Sequence, residues 1–149
     1  MTSASRREAL LLGAAASLVV VAPAWATTED MGEAVRHFTN GADVKSGRVK
    51  LDLPPLVENG NAAPLSIAVE SPMSEADHVR RIAVFNERNP QPNVLTVVLG
   101  PRAGRASLST RIRLANSQRI TAVAEMSDGS FWSGTADVIV TLAACIEGS

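Results

Sequence analysis

The chain holds one cysteine, Cys145, in the closing segment Ala143-Ala144-Cys145-Ile146-Glu147-Gly148-Ser149, just past the apolar run Val138-Ile139-Val140-Thr141-Leu142. A thiolate is a nucleophile and a point of covalent attachment, and a thiol beyond the end of a strand is placed to be presented to another molecule. Free cysteine is also among the most buried residue types, so the residue alone leaves open that Cys145 only fills a strand end. A cysteine–histidine hydrolase would need a histidine held against the sulfur, and the end of a chain is poorly organised for that geometry. The only histidines, His37 and His78, stand apart without Cys/His/Asp spacing, which argues against a metal site. Arg105, Arg111 and Arg113 form a stripe that could bind an anion or simply be a solvated strand face. No G-x-S-x-G, H-E-x-x-H, P-loop or G-x-G-x-x-G motif is present.

The compartment decides how a single thiol is read. Arg6-Arg7 precede an apolar, alanine-rich run from Ala9 to Val21, followed by Ala24-Trp25-Ala26 in the small-x-small pattern of a signal-peptidase site. The run is shorter than the roughly 20 residues of a membrane span. Residues 1–26 therefore read as a cleaved twin-arginine-type leader, although Ala9 stands where that motif prefers phenylalanine. The mature chain from Thr27 is expected in the periplasm, with no membrane segment. Losing Arg6, Arg7 and Glu8 takes the 14 basic side chains to 12 and the 15 acidic ones to 14, a net charge of −2. That balance offers no basic face for nucleic acid. One cysteine in an exported chain cannot close an intramolecular disulfide, so it is a free reactive thiol or pairs with another molecule.

The elements that must position Cys145 follow from hydrophobic periodicity. Met31, Ala34, Val35 and Phe38 share one face of a helix over Glu29 to Phe38, with Thr28 as the expected N-cap and Asn40-Gly41 as the stop. From Arg48 the period becomes two. Strands are expected at 48–53, 65–69, 79–85, 94–99, 106–114, 120–125 and 131–142, the last with a possible break at Ser133-Gly134. Glu58-Asn59-Gly60-Asn61, Ser71-Pro72, the segment from Asn86 to Asn93, Gly100-Pro101, Asn116-Ser117 and Asp128-Gly129-Ser130 are the turns between them. Ala106, Leu108, Thr110, Ile112 and Leu114 alternate with Arg105, Ser107, Ser109, Arg111 and Arg113, and Ile120, Ala122 and Ala124 with Thr121, Val123 and Glu125. Seven short strands at spacings of roughly ten residues point to a mainly β fold. The expected architecture is an immunoglobulin-like antiparallel β-sandwich with a short N-terminal helix and a flexible C-terminal arm; a β-barrel is the alternative. The expected organisation is a leader at 1–26, a sandwich domain at 27–142 and an arm at 143–149.

The segments Glu58-Asn59-Gly60-Asn61, Val69-Glu70-Ser71-Pro72-Met73, Asn89-Pro90, Ser109-Thr110-Arg111-Ile112-Arg113-Leu114-Ala115 and Ala122 to Phe131, in that order, resemble SoxY, the sulfur-carrier subunit of the periplasmic thiosulfate-oxidising Sox system. The resemblance covers nearly all of the mature chain. It implies a heterodimer with a second sandwich subunit, SoxZ, exported alongside. It implies that SoxAX joins thiosulfate oxidatively to the terminal cysteine, here Cys145. SoxB then releases sulfate by hydrolysis, and SoxCD, where present, oxidises the remaining sulfur. The carrier itself is non-catalytic and needs no cofactor or metal.

The family tail is Gly-Gly-Cys-Gly-Gly. Here Ala143 and Ala144 precede Cys145, Ile146 and Glu147 follow it, and Gly148-Ser149 are added. Alanines restrict the φ/ψ freedom that glycines allow, Ile146 adds bulk beside the sulfur, and Glu147 adds negative charge, which disfavours a thiolate. The resemblance therefore supports two functional readings. One is a sulfur carrier loaded on Cys145; the other is a SoxY-like interaction module that pairs with a SoxZ-like partner but has lost or altered carrier function.

Overall fold

The computed structural model describes residues 25–144. The expected leader core and paired arginines lie outside that range, as do Cys145, Ile146, Glu147, Gly148 and Ser149 of the arm. Helix α1 (Thr28–Phe38) comes first. It is followed by strands β1 (Val44–Ser46), β2 (Val49–Asp52), β3 (Leu56–Asn59), β4 (Ala63–Val69) and β5 (Val79–Asn86). Strands β6 (Asn93–Val98), β7 (Ser107–Ile112), β8 (Gln118–Met126) and β9 (Phe131–Leu142) complete the order. Every expected strand is present, and two were not foreseen. Both newcomers, β1 and β3, are short and pair in parallel with β9, the remaining pairs being antiparallel.

The larger sheet runs β1-β9-β8-β5-β6, with β3 also on β9, and the smaller runs β2-β4-β7. Alternation closes the sandwich as the sequence pattern requires. Leu65, Ile67, Val69 and Ile112 of the small sheet meet Ile82, Val84, Ile120, Ala122, Ala124 and Val138 of the large one in a single core. The stripe Arg105, Arg111 and Arg113 faces outward, all three exposed. β9 is unbroken through Ser133-Gly134, and the glycine has a different purpose there. A Cβ at Gly134 would collide with the Val49 carbonyl, so the missing side chain lets β2 close over β9.

Helix α1 adds a third layer. Met31, Ala34, Val35 and Phe38 pack on Ala83, Phe85, Val123 and Phe131, and the Phe38 ring meets those of Phe85 and Phe131 edge-on at centroid distances of 5.9 and 6.0 Å. Val123, grouped by alternation with the polar Thr121 and Glu125, is thus fully buried beneath the helix. The N-cap is Thr27 rather than Thr28. Its hydroxyl accepts from the Asp30 N–H while its own N–H donates to the Asp30 carboxylate, a capping box that Thr28 is one residue too late to make. Asn40 and Gly41 end the helix with φ of 52° and 80°.

Candidate functional site: the exit of the C-terminal tail

The chain reaches Cys145 through the end of β9, and that end is fastened on several sides. Along its outer edge β3 lies in parallel register, with Leu56 opposite Ile139, Val57 opposite Val140 and Asn59 opposite Leu142. The Ile139 N–H donates to the Pro55 carbonyl at 2.9 Å, and the Thr141 hydroxyl donates to the Glu58 carbonyl at 3.2 Å. From the bend just before β8 the Ser117 hydroxyl accepts the Val140 N–H at 2.8 Å.

The final contact is made by Ala144. Its N–H donates to the Leu114 carbonyl at 3.0 Å, while the Leu114 N–H donates to the Gly60 carbonyl at 2.8 Å. Gly60 is needed here for space. A Cβ on it would lie 2.8 Å from the Ala144 nitrogen and 3.0 Å from the Leu142 oxygen, and closer still to the Leu114 oxygen. Asn59 shapes the turn that delivers Gly60 by accepting the Asn61 N–H on its side-chain oxygen at 3.0 Å.

Asn89 secures the segment Arg113–Ala115 through its neighbouring residues. Its amide donates to the Arg113 carbonyl at 2.8 Å, and its side-chain oxygen accepts from the Ala115 N–H and from Gln118 Nε2, each at 3.0 Å. Gln118 Oε1 in turn accepts the Arg88 N–H at 2.9 Å. Asn86, wholly buried, accepts the Asn89 N–H and donates to the Gln91 and Pro92 carbonyls, which makes the proline-rich segment a structured loop. The motifs Glu58–Asn61, Asn89-Pro90 and Ser109–Ala115, distant in sequence, therefore converge where the tail leaves. Their polar atoms serve backbone geometry. The signal available in the sequence was Asn-rich turn chemistry, which locates turns but not what they grip.

The structure brings Ala143 and Ala144 to this corner and divides them. Ala143 is exposed, while Ala144, assigned by sequence to the arm, is 8% exposed and hydrogen-bonded into the domain. The histidines are elsewhere. His78 sits at the far end of β5, its Nδ1 3.0 Å from the Ser74 carbonyl, and His37 lies on α1 beside Pro90 and Pro92. Among the described residues no three His, Cys, Asp or Glu side chains form a group able to hold a metal ion, and no helix is long and apolar enough to cross a membrane. Arg111 and Arg113 border an open groove of about 560 Å³ between β6 and β7, floored in part by Val94, Leu95 and Ile112.

The family model for "Sulfur oxidation protein SoxY" matches residues 35–145, so the matched span takes in the tail-exit corner and ends on the cysteine. The chain belongs to the SoxY family. Its membership covers the whole sandwich from the second turn of α1. Among solved structures, the sulfur carrier protein SoxY from Chlorobium limicola f thiosulfatophilum superposes with a TM-score of 0.66 at 20% identity, over 78% of this chain and 100% of that one. A superoxide reductase (neelaredoxin) from Ignicoccus hospitalis gives 0.58 at 14% identity, over 65% and 94% of the two chains. A superoxide reductase from Nanoarchaeum equitans gives 0.52 at 9% identity, over 64% and 100%. These likenesses show that the sandwich is common to all four. No curated protein sequence matches the chain.

Proposed function

We propose that this SoxY-family protein is a sulfur carrier, holding its substrate covalently on Cys145 while partner enzymes act on it. The observation that carries the reading is the convergence of the family's matched span on the lone cysteine, immediately after a residue the fold clamps. The chemistry needs only the sulfur. The Cys145 thiolate and thiosulfate form an S–S bond and give up two electrons to an oxidising cytochrome of the SoxAX kind. Water then adds to the terminal sulfone, the S–S bond to it breaks, and sulfate leaves a persulfide on Cys145. A sulfane dehydrogenase of the SoxCD kind, where present, takes the persulfide further. The protein supplies no acid, base or cofactor to these steps; it presents the sulfur and then hands it on.

The clamp sets how the sulfur is presented. Ala144, the residue before Cys145, is held in the domain by its hydrogen bond to the Leu114 carbonyl. The enzymes must come to this corner of the sandwich. The leader would deliver the folded domain to the periplasm, paired with a SoxZ-like sandwich subunit. The test is the intact mass of the mature protein after incubation with thiosulfate and its oxidising cytochrome. One added thiosulfate group on the native chain, absent from Cys145→Ser, is expected. An unmodified mass while the same cytochrome loads a Gly-Gly-Cys-Gly-Gly carrier would overturn the assignment. That result would favour the second reading, an interaction module without cargo, to which the substitution of the family's glycines by Ala143 and the buried Ala144 already lends support.

A further inference from the structure

The cleavage pattern and the fold meet at one peptide bond. A peptidase that cuts after Ala24-Trp25-Ala26 recognises small side chains at the first and third positions before the cut, and it needs that segment released from other contacts. In the folded chain Ala26 is 6% exposed, and its N–H donates to the Asn89 carbonyl at 3.0 Å. Across the bond, Thr27 is the cap of α1. Its N–H lies 2.8 Å from Asp30 Oδ2, its hydroxyl accepts the Asp30 N–H at 3.2 Å, and its carbonyl accepts the Met31 N–H at 3.0 Å. The bond thus joins a buried residue to a capping box, and the loop that holds Ala26 is the one whose Asn89 also braces the tail exit.

We propose that the Ala26–Thr27 bond is a processing site closed by the fold, cut only when Ala26 leaves the Asn89 loop and the first turn of α1 frays. The proposal rests on the leader assignment made above. Hydrolysis adds one water: the C–N bond breaks, Ala26 departs as a carboxylate, and Thr27 keeps the nitrogen as an ammonium. No electrons are transferred. A positive charge at a helix N-terminus opposes the helix dipole, but this one forms beside a carboxylate already in place, that of Asp30. Processing therefore replaces an amide–carboxylate hydrogen bond in the capping box with an ion pair, and the mature helix keeps its cap.

The full-length precursor, purified folded, is incubated with detergent-solubilised leader peptidase and followed by intact mass. It is compared with Asp30→Ala, which removes half of the capping box, and with a variant carrying, between Ala26 and Thr27, a short Gly-Ser linker followed by a second Trp-Ala, so that the added alanine takes the place in the Asn89 loop and the original pattern stands clear of the fold. Circular dichroism confirms that both variants are folded. The native precursor should be cut slowest, Asp30→Ala roughly fivefold faster, as expected for loss of an N-terminal cap, and the linker variant fastest. Adding Asp30→Ala to the linker variant should change nothing. Equal rates in all forms, with a product beginning at Thr27 from the native chain, would overturn the closure and leave the leader standing. Acceleration of the linker variant by Asp30→Ala would also overturn it, by showing that the peptidase reads residue 30 directly. No cut after Ala26 even in the linker variant would remove the leader assignment, and the proposal with it.

Discussion

The two ends of the sandwich use the same strands for opposite purposes. At the tail exit, where β5 ends and β8 begins, chain crossings are secured by backbone hydrogen bonds through a space only glycine can fill, and by Asn89 reaching three partners at once. At the opposite end, where β5 begins and β8 ends, separate side-chain contacts join the turns. Ser127 accepts the His78 N–H at 3.1 Å, Met73 Sδ takes the Val79 N–H at 3.4 Å, and Ser130 donates to Asp128 within one hairpin. Trp132 lies under Lys45 and Arg48 at 5.3 and 5.6 Å. One end is braced by interlocked hydrogen bonds around a single backbone crossing, whereas the other is joined by separate side-chain contacts. That asymmetry fixes Ala144, the residue before the cysteine, in the domain.

Glycine substitutions test the difference most severely. Gly60→Ala places a Cβ against three backbone atoms that cannot move independently, so about 3 kcal/mol of destabilisation is expected from overpacking. Gly129→Ala, at φ 84° in open space, should cost only about 1 kcal/mol of left-handed strain. Urea midpoints give both values. Hydrogen exchange should show the Ala144 amide losing protection in Gly60→Ala and keeping it in Gly129→Ala. Equal losses of protection would mean that the tail exit is not held through Gly60.

The side chains give a smaller contrast. Asn89→Ala leaves the Ala115 N–H, the Arg113 carbonyl and Gln118 Nε2 without their partner, and about 2–3 kcal/mol should be lost. Ser127→Ala removes one acceptor from a half-exposed N–H, and about 1 kcal/mol is expected. If the two variants unfold at the same urea concentration, Asn89 is not the brace its geometry describes.

These expectations also mark where the sequence is legible. Alternation over 65–69 and 106–114 identifies which side chains fill the core, because one face of each strand packs on the other sheet and the other meets water. The same logic misplaces Val123, since alternation does not reveal a helix on the second face. β1 and β3 escaped because three or four residues carry too little periodicity to stand above turn chemistry, and their parallel partner lies more than 80 residues away. Gly60 and Asn89 were visible as turn residues within segments resembling SoxY. That both converge on the segment Arg113–Ala115 depends on the tertiary crossing of chains, which no local pattern encodes.

The smallest effects separate the ends by salt and acid. Near the tail exit, Asp137 is held below the usual carboxylate range by its hydrogen bond with Arg119 and by the charge of that guanidinium. At the other end Asp128 is lowered first by the Ser130 hydroxyl, then by the Ser130 N–H, with lesser help from Arg48 and Lys45. Both carboxylates have depressed pKa values in the folded state. Each contribution is therefore complete above the unfolded pKa, roughly 3.9, and is lost as pH falls through the lower folded value. Asp137→Asn and Asp128→Asn should each flatten the acid limb of the stability curve in low salt. Salt screens a fully exposed ion pair strongly, whereas hydrogen bonds from a neutral hydroxyl and amide depend little on it. Raising the ionic strength should thus erase most of the difference between Asp137→Asn and the native protein while leaving that of Asp128→Asn. Urea midpoints from pH 6 to 2 at low and high salt make the comparison. Loss of both differences in salt would show that Arg48 and Lys45, rather than Ser130, hold Asp128, and that the far end too is organised by charge across segments.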